Sequence, residues 1–306
     1  MRFYSLIVPV YNRPDEVEDL LSCLAEQTCQ NFELVLVESG SDIPSDEVVQ
    51  RYKDKVDIQH YMYKNDGQGF SRNYGMSMAK GDFFVILDSD ILLDTDYIKT
   101  LDRSLQKEQL DAFGGPDRAH PSFTPVQKAI DFTLTSLLTT GGIRGAKQRV
   151  GKFYPRSFNM GFSRAVYEKT GGYRYPYFGE DIDLSQRMMD LGYKVGLIPE
   201  AYVYHKRKKN FQSFYKQMFF FGRARIQISK LFPSSLKITH FFPAAFVFFH
   251  LLLLLLVISF PQYTILWLSP LLLYIFVNYV EYKFGGLFLS QSDFIQFCIL
   301  LQKSWA

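Results

Sequence analysis

Phe83-Phe84-Val85-Ile86-Leu87-Asp88-Ser89-Asp90 is the stretch on which the reading of this chain turns. Five apolar residues without alternation fit a short strand covered on both faces, since a strand with one wet face would alternate. The run closes on two carboxylates at i and i+2. Isolated carboxylates at the end of a buried strand are costly, and a divalent cation that bridges them to a diphosphate removes the cost. A solvated turn is the plain alternative, and the strand end favours the metal.

The same pattern extends on both sides. Residues 3–10, 32–38, 58–63 and 112–114 also read as strands, with helical stretches between them. In the first of these, Val17, Leu20, Leu21 and Leu24 recur at i, i+3, i+4 and i+7 behind Pro14, which suits a first helical turn. A βαβ series of this kind predicts an α/β fold, a doubly wound and mostly parallel sheet. Ligands bind such sheets beyond the carboxyl ends of the strands. The segments to inspect are therefore residues 9–13, 38–42, 64–72 and 88–90, with Asp94 and Asp96 as caps of the next helix.

Residues 123–176 are less regular, and Gly141, Gly142, Gly145 and Gly151 mark a flexible basic loop. Beyond it a helix is expected over 180–191, short strands over 194–197 and 202–205, and a helix over 210–231. That last helix places Phe211, Phe214, Tyr215 and Met218 on one face, widened by Phe219, Phe220 and Phe221. It reads as an interfacial helix lying on a bilayer, with a core helix as the alternative. Asp183 and Arg187, at i and i+4, read as a surface ion pair.

Charge is unevenly distributed along the 306 residues, of which 47% are hydrophobic and 21% charged. No Asp, Glu, Lys or Arg occurs over the 43 residues from 238 to 280, as helix about 65 Å, or two crossings of a hydrocarbon core. Two spans are predicted, about 240–260 and 263–281, divided by Pro261-Gln262, with a possible third over 284–302 that carries Asp293. This excludes a purely soluble protein, a disordered chain and a many-span transporter. Residues 201–237 carry nine basic side chains and no acid, directly before the apolar stretch. Such a run favours the cytoplasmic side and attracts anionic membrane lipid. Its interleaving with Phe argues against a nucleic-acid-binding tail. Cys23, Cys29 and Cys298 make neither a metal-ligand pair nor a disulfide framework, and the start of the chain does not read as a signal peptide. Three regions follow: a globular domain over 1–205, expected in the cytosol, a basic juxtamembrane segment over 206–237, and a membrane domain over 238–306.

Asn65-Asp66-Gly67-Gln68-Gly69-Phe70-Ser71-Arg72-Asn73 enters a helix but is no dinucleotide fingerprint, because Arg72 stands where the third glycine belongs. It offers Asp66 as an acceptor for a base or ribose and Arg72 as a partner for phosphate. Together with Val8-Pro9-Val10-Tyr11-Asn12-Arg13, Val37-Glu38-Ser39-Gly40-Ser41, Asp88-Ser89-Asp90 and Gly179-Glu180-Asp181, this loop resembles, in order and spacing, the family 2 glycosyltransferases of GT-A fold. The resemblance covers about residues 1–205, and the remainder is similar to the membrane-anchored bacterial members that build surface polysaccharides. Glu38 is a departure, since the family most often has Asp there.

The resemblance implies that Pro9, Tyr11, Glu38, Asp66, Arg72 and Asp88 line the donor pocket, that Asp88 and Asp90 hold Mg²⁺ or Mn²⁺, and that Asp181 is the general base beside Glu180. Members often place a His near position 205, so His205 is a third metal candidate and a structural His the alternative. Glu180 and Asp181 also suit a helix N-terminus that favours negative charge. The basic loop running from Arg144 to Arg156 and on through Tyr154-Pro155-Arg156-Ser157-Phe158-Asn159-Met160-Gly161 is a candidate clamp for a diphosphate, or else a solvated loop. The expected function is inverting, metal-dependent transfer from a nucleotide-sugar donor to a glycan acceptor, lipid-linked, at the inner membrane. The alternatives are a processive polysaccharide synthase, disfavoured by the few spans and by the lack of a Q-x-x-R-W-like element, and a non-catalytic membrane scaffold, which would need none of Asp88, Asp90 and Asp181.

Overall fold

Strand β1 (Tyr4–Val10) is followed by α1 (Pro14–Ala25), β2 (Phe32–Ser39), α2 (Asp46–Tyr52), β3 (Ile58–Tyr63), α3 (Gln68–Met78) and β4 (Phe83–Leu87). β1 pairs in parallel with β2 on one side and β4 on the other, and β2 with β3. The chain thus winds outward through β3, returns across β1 and resumes at β4, leaving a switch point between the carboxyl ends of β1 and β4. Every residue of β2 and β4 is buried, which explains the apolar runs Leu34–Val37 and Phe83–Leu87 within them. The structure is a computed structural model and describes residues 2–140, 153–208, 210–231 and 238–284 together with Pro233 and Leu236.

Beyond β4 come β5 (Ile91–Leu92), α4 (Tyr97–Glu108), β6 (Ala112–Gly114), β7 (Asp117–Arg118), α5 (Pro125–Thr135) and α6 (Leu137–Thr140). After them lie β8 (Asn159–Ser163), α7 (Arg164–Thr170), α8 (Glu180–Asp190), β9 (Val195–Leu197), β10 (Val203–His205) and α9 (Phe211–Leu231). The main sheet has seven strands in the order β3-β2-β1-β4-β8-β6-β9, with β8 antiparallel to both neighbours. A small second sheet orders β5-β10-β7. One apolar layer joins Tyr4, Leu6, Val8 and Val10 of β1 to α1 and α4, and the other joins Ile7, Val35 and Val37 to Met76, Leu184 and Met188 of α3 and α8.

Three expectations need correction. Residues 159–161, read as the end of a basic loop, belong to β8, where Asn159 is fully buried, accepts a bond from Tyr97 OH at 2.7 Å and donates to the Ala201 carbonyl at 2.8 Å. Asp183 and Arg187 are no surface pair: both are largely buried, 2.6 Å apart, and Arg187 also donates to the Thr170 and Gly172 carbonyls, which fastens α8 to the end of α7. Asp96 is the N-cap residue of α4 but makes no capping bond, because its Oδ1 accepts from Thr28 Oγ1 at 2.5 Å. Arg144 and the glycines of the basic loop lie outside the described residues, as does most of the possible third span, 284–302.

The chain divides into two compact units, Met1–Ile228 and Ser229–Ala306. The second contains α10 (Phe242–Ser259) and α11 (Thr264–Phe284), and Phe242–Ser259 and Pro261–Lys283 are long and apolar enough to cross a membrane. A short 3-10 turn, Pro261–Tyr263, separates them. In α9 the buried side chains are Ala224 and Ile228, while Phe211, Tyr215, Phe219 and Phe220 are at least half exposed, so it is a surface helix and not the core helix of the alternative reading.

Candidate active site

The loops at the carboxyl ends of β1 and β2 are knitted together by Asn12. Its backbone is left-handed (φ 54°), which Asn tolerates better than most residues, and its Oδ1 accepts the Asp42 and Ile43 amides at 2.7 and 2.9 Å. Pro9 and the half-exposed Tyr11 stand on this rim. Glu38 ends up fully buried beneath it: Ser41 Oγ and the Ser45 amide donate to its two oxygens, and His60 Nε2 lies 3.9 Å away. Burial alone would raise its pKa, but these hydrogen bonds hold it below the ordinary carboxylate value. The extra methylene that distinguishes Glu38 from the expected Asp is used to reach the Ser41–Ser45 turn.

At the end of β3, Asp66 Oδ2 takes Tyr63 OH at 3.3 Å and Lys64 Nζ at 3.0 Å, while its buried Oδ1 has no partner among the described residues. Gly67 (φ +112°) then turns the chain into α3, and the Gly69 amide bonds the Pro176 carbonyl at 2.9 Å. Arg72, one turn into α3, is only 2% exposed. The sequence suggested a phosphate contact, whereas Arg72 is spent inside the protein. Nη2 donates to Asp88 at 2.9 Å, Nη1 lies 3.3 Å from Glu180, and the guanidinium sits over the Tyr173 ring.

Asp88 and Asp90 follow β4 directly, and the small sheet delivers the third member: β10 pairs with β5 so that His205 faces Ile91, next to Asp90. Ligand atoms of Asp88, Asp90 and His205 lie within 4.8 Å of one another. Two hard carboxylates and one imidazole suit Mn²⁺ or Mg²⁺ better than a thiophilic ion. His205 Nε2 is 3.0 Å from Asp90 Oδ1, and Nδ1 is 3.7 Å from the buried Asp117. Burial opposes the charge on His205, yet Asp90 and Asp117 raise its pKa to about 9. Burial likewise opposes the charge on Asp90, and His205 with Arg13 holds it well below the usual range.

The partners of two contributors were not legible in the sequence. Arg207 bridges Asp117 at 2.8 Å and Asp131 of α5 at 2.7 Å, and its carbonyl accepts from Gln127. The segment that carries His205 is thereby pinned from behind. Arg13 reaches Asp90 at 3.5 Å from the β1 loop and remains half exposed. Arg13 belongs to the segment 9–13 that the strand ends had marked.

Gly179 (φ +71°) caps α8, so Glu180 and Asp181 open its first turn. Glu180 is buried, receives Gln68 Nε2 at 2.7 Å, and has its pKa raised to about 7 by burial and then by Asp181, against the pull of Arg72. Asp181 is the more open of the two and pairs with Arg156 at 3.2 Å. Metal candidates and base candidates thus flank the Arg72 guanidinium from opposite sides.

Comparison with known proteins gives this sheet, its paired carboxylates after β4 and the acidic start of α8 a family, although the chain spans less than two fifths of the length of most of the curated relatives it matches. The profile described as Glycosyl transferase family 2 matches residues 5–171, and the chain belongs to that family. It is 32% identical over 114 residues to glycosyltransferase GlyG of Streptococcus pneumoniae, a match covering 36% of this chain and 38% of that protein. It is 23% identical over 241 residues to glycosyltransferase AglE of Haloferax volcanii, covering 77% of each. The fold resembles the Pyrobaculum calidifontis mannosyltransferase PcManGT, solved with GDP-Man and Mn²⁺ (TM-score 0.54, 19% identity, 69% of this chain and 58% of that one). It also resembles Staphylococcus aureus TarS with UDP-GlcNAc (TM-score 0.51, 17% identity, 68% and 59%).

Proposed function

We propose that the chain transfers a sugar, with inversion, from a nucleotide-sugar to a lipid-linked glycan acceptor at the cytoplasmic face of the inner membrane, in surface polysaccharide synthesis. The observation that carries this reading is the convergence of Asp88, Asp90 and His205 on one point, joined through Arg72 to the Glu180-Asp181 pair. Asp88, Asp90 and His205 would hold Mg²⁺ or Mn²⁺, which supplies charge to stabilise a departing nucleoside diphosphate. Tyr11 offers a ring to the base and the unpartnered Asp66 Oδ1 an acceptor for its N–H. Arg13 is placed to meet phosphate. Asp181 takes the proton of the acceptor hydroxyl, and Glu180, fixed by Gln68 and Arg72, orients the acceptor.

α10 and α11 support a membrane anchor, and the exposed aromatics of α9 beside Lys216, Arg223 and Lys230 suit an anionic lipid surface. No role in nucleic-acid binding is proposed for that basic stretch. The test is to incubate the full chain with a panel of nucleotide-sugars, Mn²⁺ or Mg²⁺ and a membrane lipid extract. Nucleoside diphosphate release that needs both one donor and the extract supports the reading. Release from none of the donors would overturn it.

A further inference from the structure

His205 has two ring nitrogens, and the fold aims each at a carboxylate. Nε2 lies 3.0 Å from Asp90, within the cluster that includes Asp88, and Nδ1 lies 3.7 Å from Oδ2 of Asp117. The second approach follows from strand register. β7 runs parallel to β10 with Asp117 opposite Val203, so His205, two residues on, projects from the same face as a diagonal neighbour of Asp117. Gly115 lets the two strands come together, because a Cβ there would collide with the Ala201 carbonyl, and the Val203 amide bonds the Pro116 carbonyl at 3.0 Å. Phe158 packs on the imidazole with ring centroids 5.4 Å apart.

A carboxylate as deeply buried as Asp117 is costly, and it must be held by partners. Arg207 Nη2 holds its Oδ2 at 2.8 Å. Arg207 is already paired, however, since it donates to Asp131 from Nε at 2.9 Å and from Nη2 at 2.7 Å. Neutralising Arg207 and pinning its segment to α5 are therefore met by Asp131, and they do not account for a second carboxylate. What distinguishes Asp117 from Asp131 is that it faces Nδ1 of His205. An imidazole that binds a metal through one nitrogen keeps its proton on the other, and a carboxylate at that proton fixes the ring and strengthens it as a ligand. We infer that Asp117 is a positioning residue of the metal site: it keeps the proton of His205 on Nδ1, so that Nε2 meets the cation beside Asp88 and Asp90. That role rests on the proposed transferase reading, which makes Asp88, Asp90 and His205 a metal site, and it deepens that reading by one residue.

The test measures Mn²⁺ affinity of the full chain in detergent, without nucleotide, from the loss of the free-ion electron paramagnetic resonance signal. Asp117→Asn keeps the shape and removes the charge, and it should weaken Mn²⁺ about 10–100-fold, the usual effect of losing such a partner. In a His205→Gln background the same substitution should change the affinity by less than about twofold, because the residue through which it acts is gone. An equal loss in both backgrounds overturns the proposal, since Asp117 would then act through the fold or through its charge alone. Unchanged affinity in Asp117→Asn overturns it too. A second readout leaves Asp117 in place and so does not depend on that variant folding. Histidine-¹⁵N spectra of the wild type with Cd²⁺, a diamagnetic ion close in size to Mn²⁺, should show the proton of His205 on Nδ1, its resonances being those missing from His205→Gln. A proton on Nε2 overturns the proposal. A wild type that takes up no Mn²⁺ overturns the metal site and the role of Asp117 together. Metal-dependent turnover without coupling between Asp117 and His205 rejects only the role of Asp117, and coupling without turnover supports that role while the transferase reading fails.

Discussion

Asp88 and Glu180 are held by a single guanidinium: Arg72 gives Nη2 to the first at 2.9 Å and Nη1 to the second at 3.3 Å. One residue of α3 thus sets the position of a metal candidate after β4 and of the acidic start of α8. Lysine carries the same charge without the fork that spans both carboxylates. Arg72→Lys should cost roughly 3 kcal/mol of stability, as expected when a buried pair loses a partner. Chemical denaturation of the detergent-solubilised chain would read this as a lowered midpoint, and an unchanged midpoint would show that the bridge contributes nothing.

If Asp88, Asp90 and His205 hold a cation on the donor, Asp90→Ala should abolish nucleoside diphosphate release. EDTA should silence the wild type, with Mn²⁺ or Mg²⁺ restoring it. Full turnover in excess chelator would refute metal dependence.

If Asp181 is the base, its removal should affect chemistry and not donor binding. Asp181→Asn should lower kcat by about 10²–10⁴, the usual worth of general-base catalysis, with donor affinity nearly unchanged. Glu180→Gln should raise acceptor KM at least as much as it lowers kcat. Loss of donor affinity in Asp181→Asn at constant kcat would move Asp181 into the nucleotide pocket.

Glu180 also makes stability depend on pH. Its folded pKa is raised to about 7 from the ordinary 4.5, so between those values the folded chain keeps a proton that the unfolded chain releases. The stability tied to that proton is complete below about pH 4.5 and is lost as pH rises through about 7. Between pH 5 and 8 the Tm of the wild type should therefore fall more steeply than that of Glu180→Gln. Parallel slopes would mean that Glu180 is not buried as a neutral acid.

The membrane orientation is testable at the short connection between α10 and α11. After replacement of Cys23, Cys29 and Cys298, a cysteine at position 262 should react with an impermeant thiol reagent in intact cells, and cysteines placed in residues 1–200 should not. The opposite labelling pattern would reverse the topology.

What the sequence made legible was local. Asp88 and Asp90 stand at the end of an unbroken apolar run, so strand and site are visible together, and the Glu180-Asp181 pair follows a glycine that stops one element and starts another. His205 could be suspected, but its arrival at Asp90 depends on pairing between a two-residue and a three-residue strand, too short to show periodicity. β8 was missed because Asn159, Gly161 and Ser163 look like loop residues, although Asn159 is bonded on both sides in the core. The bonding of Arg72 and Arg207 was not legible for one reason. Their partners lie between 16 and 108 residues away wherever a bond is made, and no local pattern encodes such a pairing.

Gly67 and Gly69 carry a consequence for how such a chain can change. A Cβ at Gly67 would collide with Pro176, and one at Gly69 with the Tyr175 carbonyl, while Gly69 and Pro176 are already hydrogen-bonded. The loop that precedes Arg72 and the segment that leads into Glu180 are therefore a mould and its cast. Neither can be exchanged for the corresponding piece of a relative without the other, so a graft of the loop before α3 must bring its own stretch before α8. Single substitutions meet least resistance at exposed side chains outside this seam, such as Tyr11.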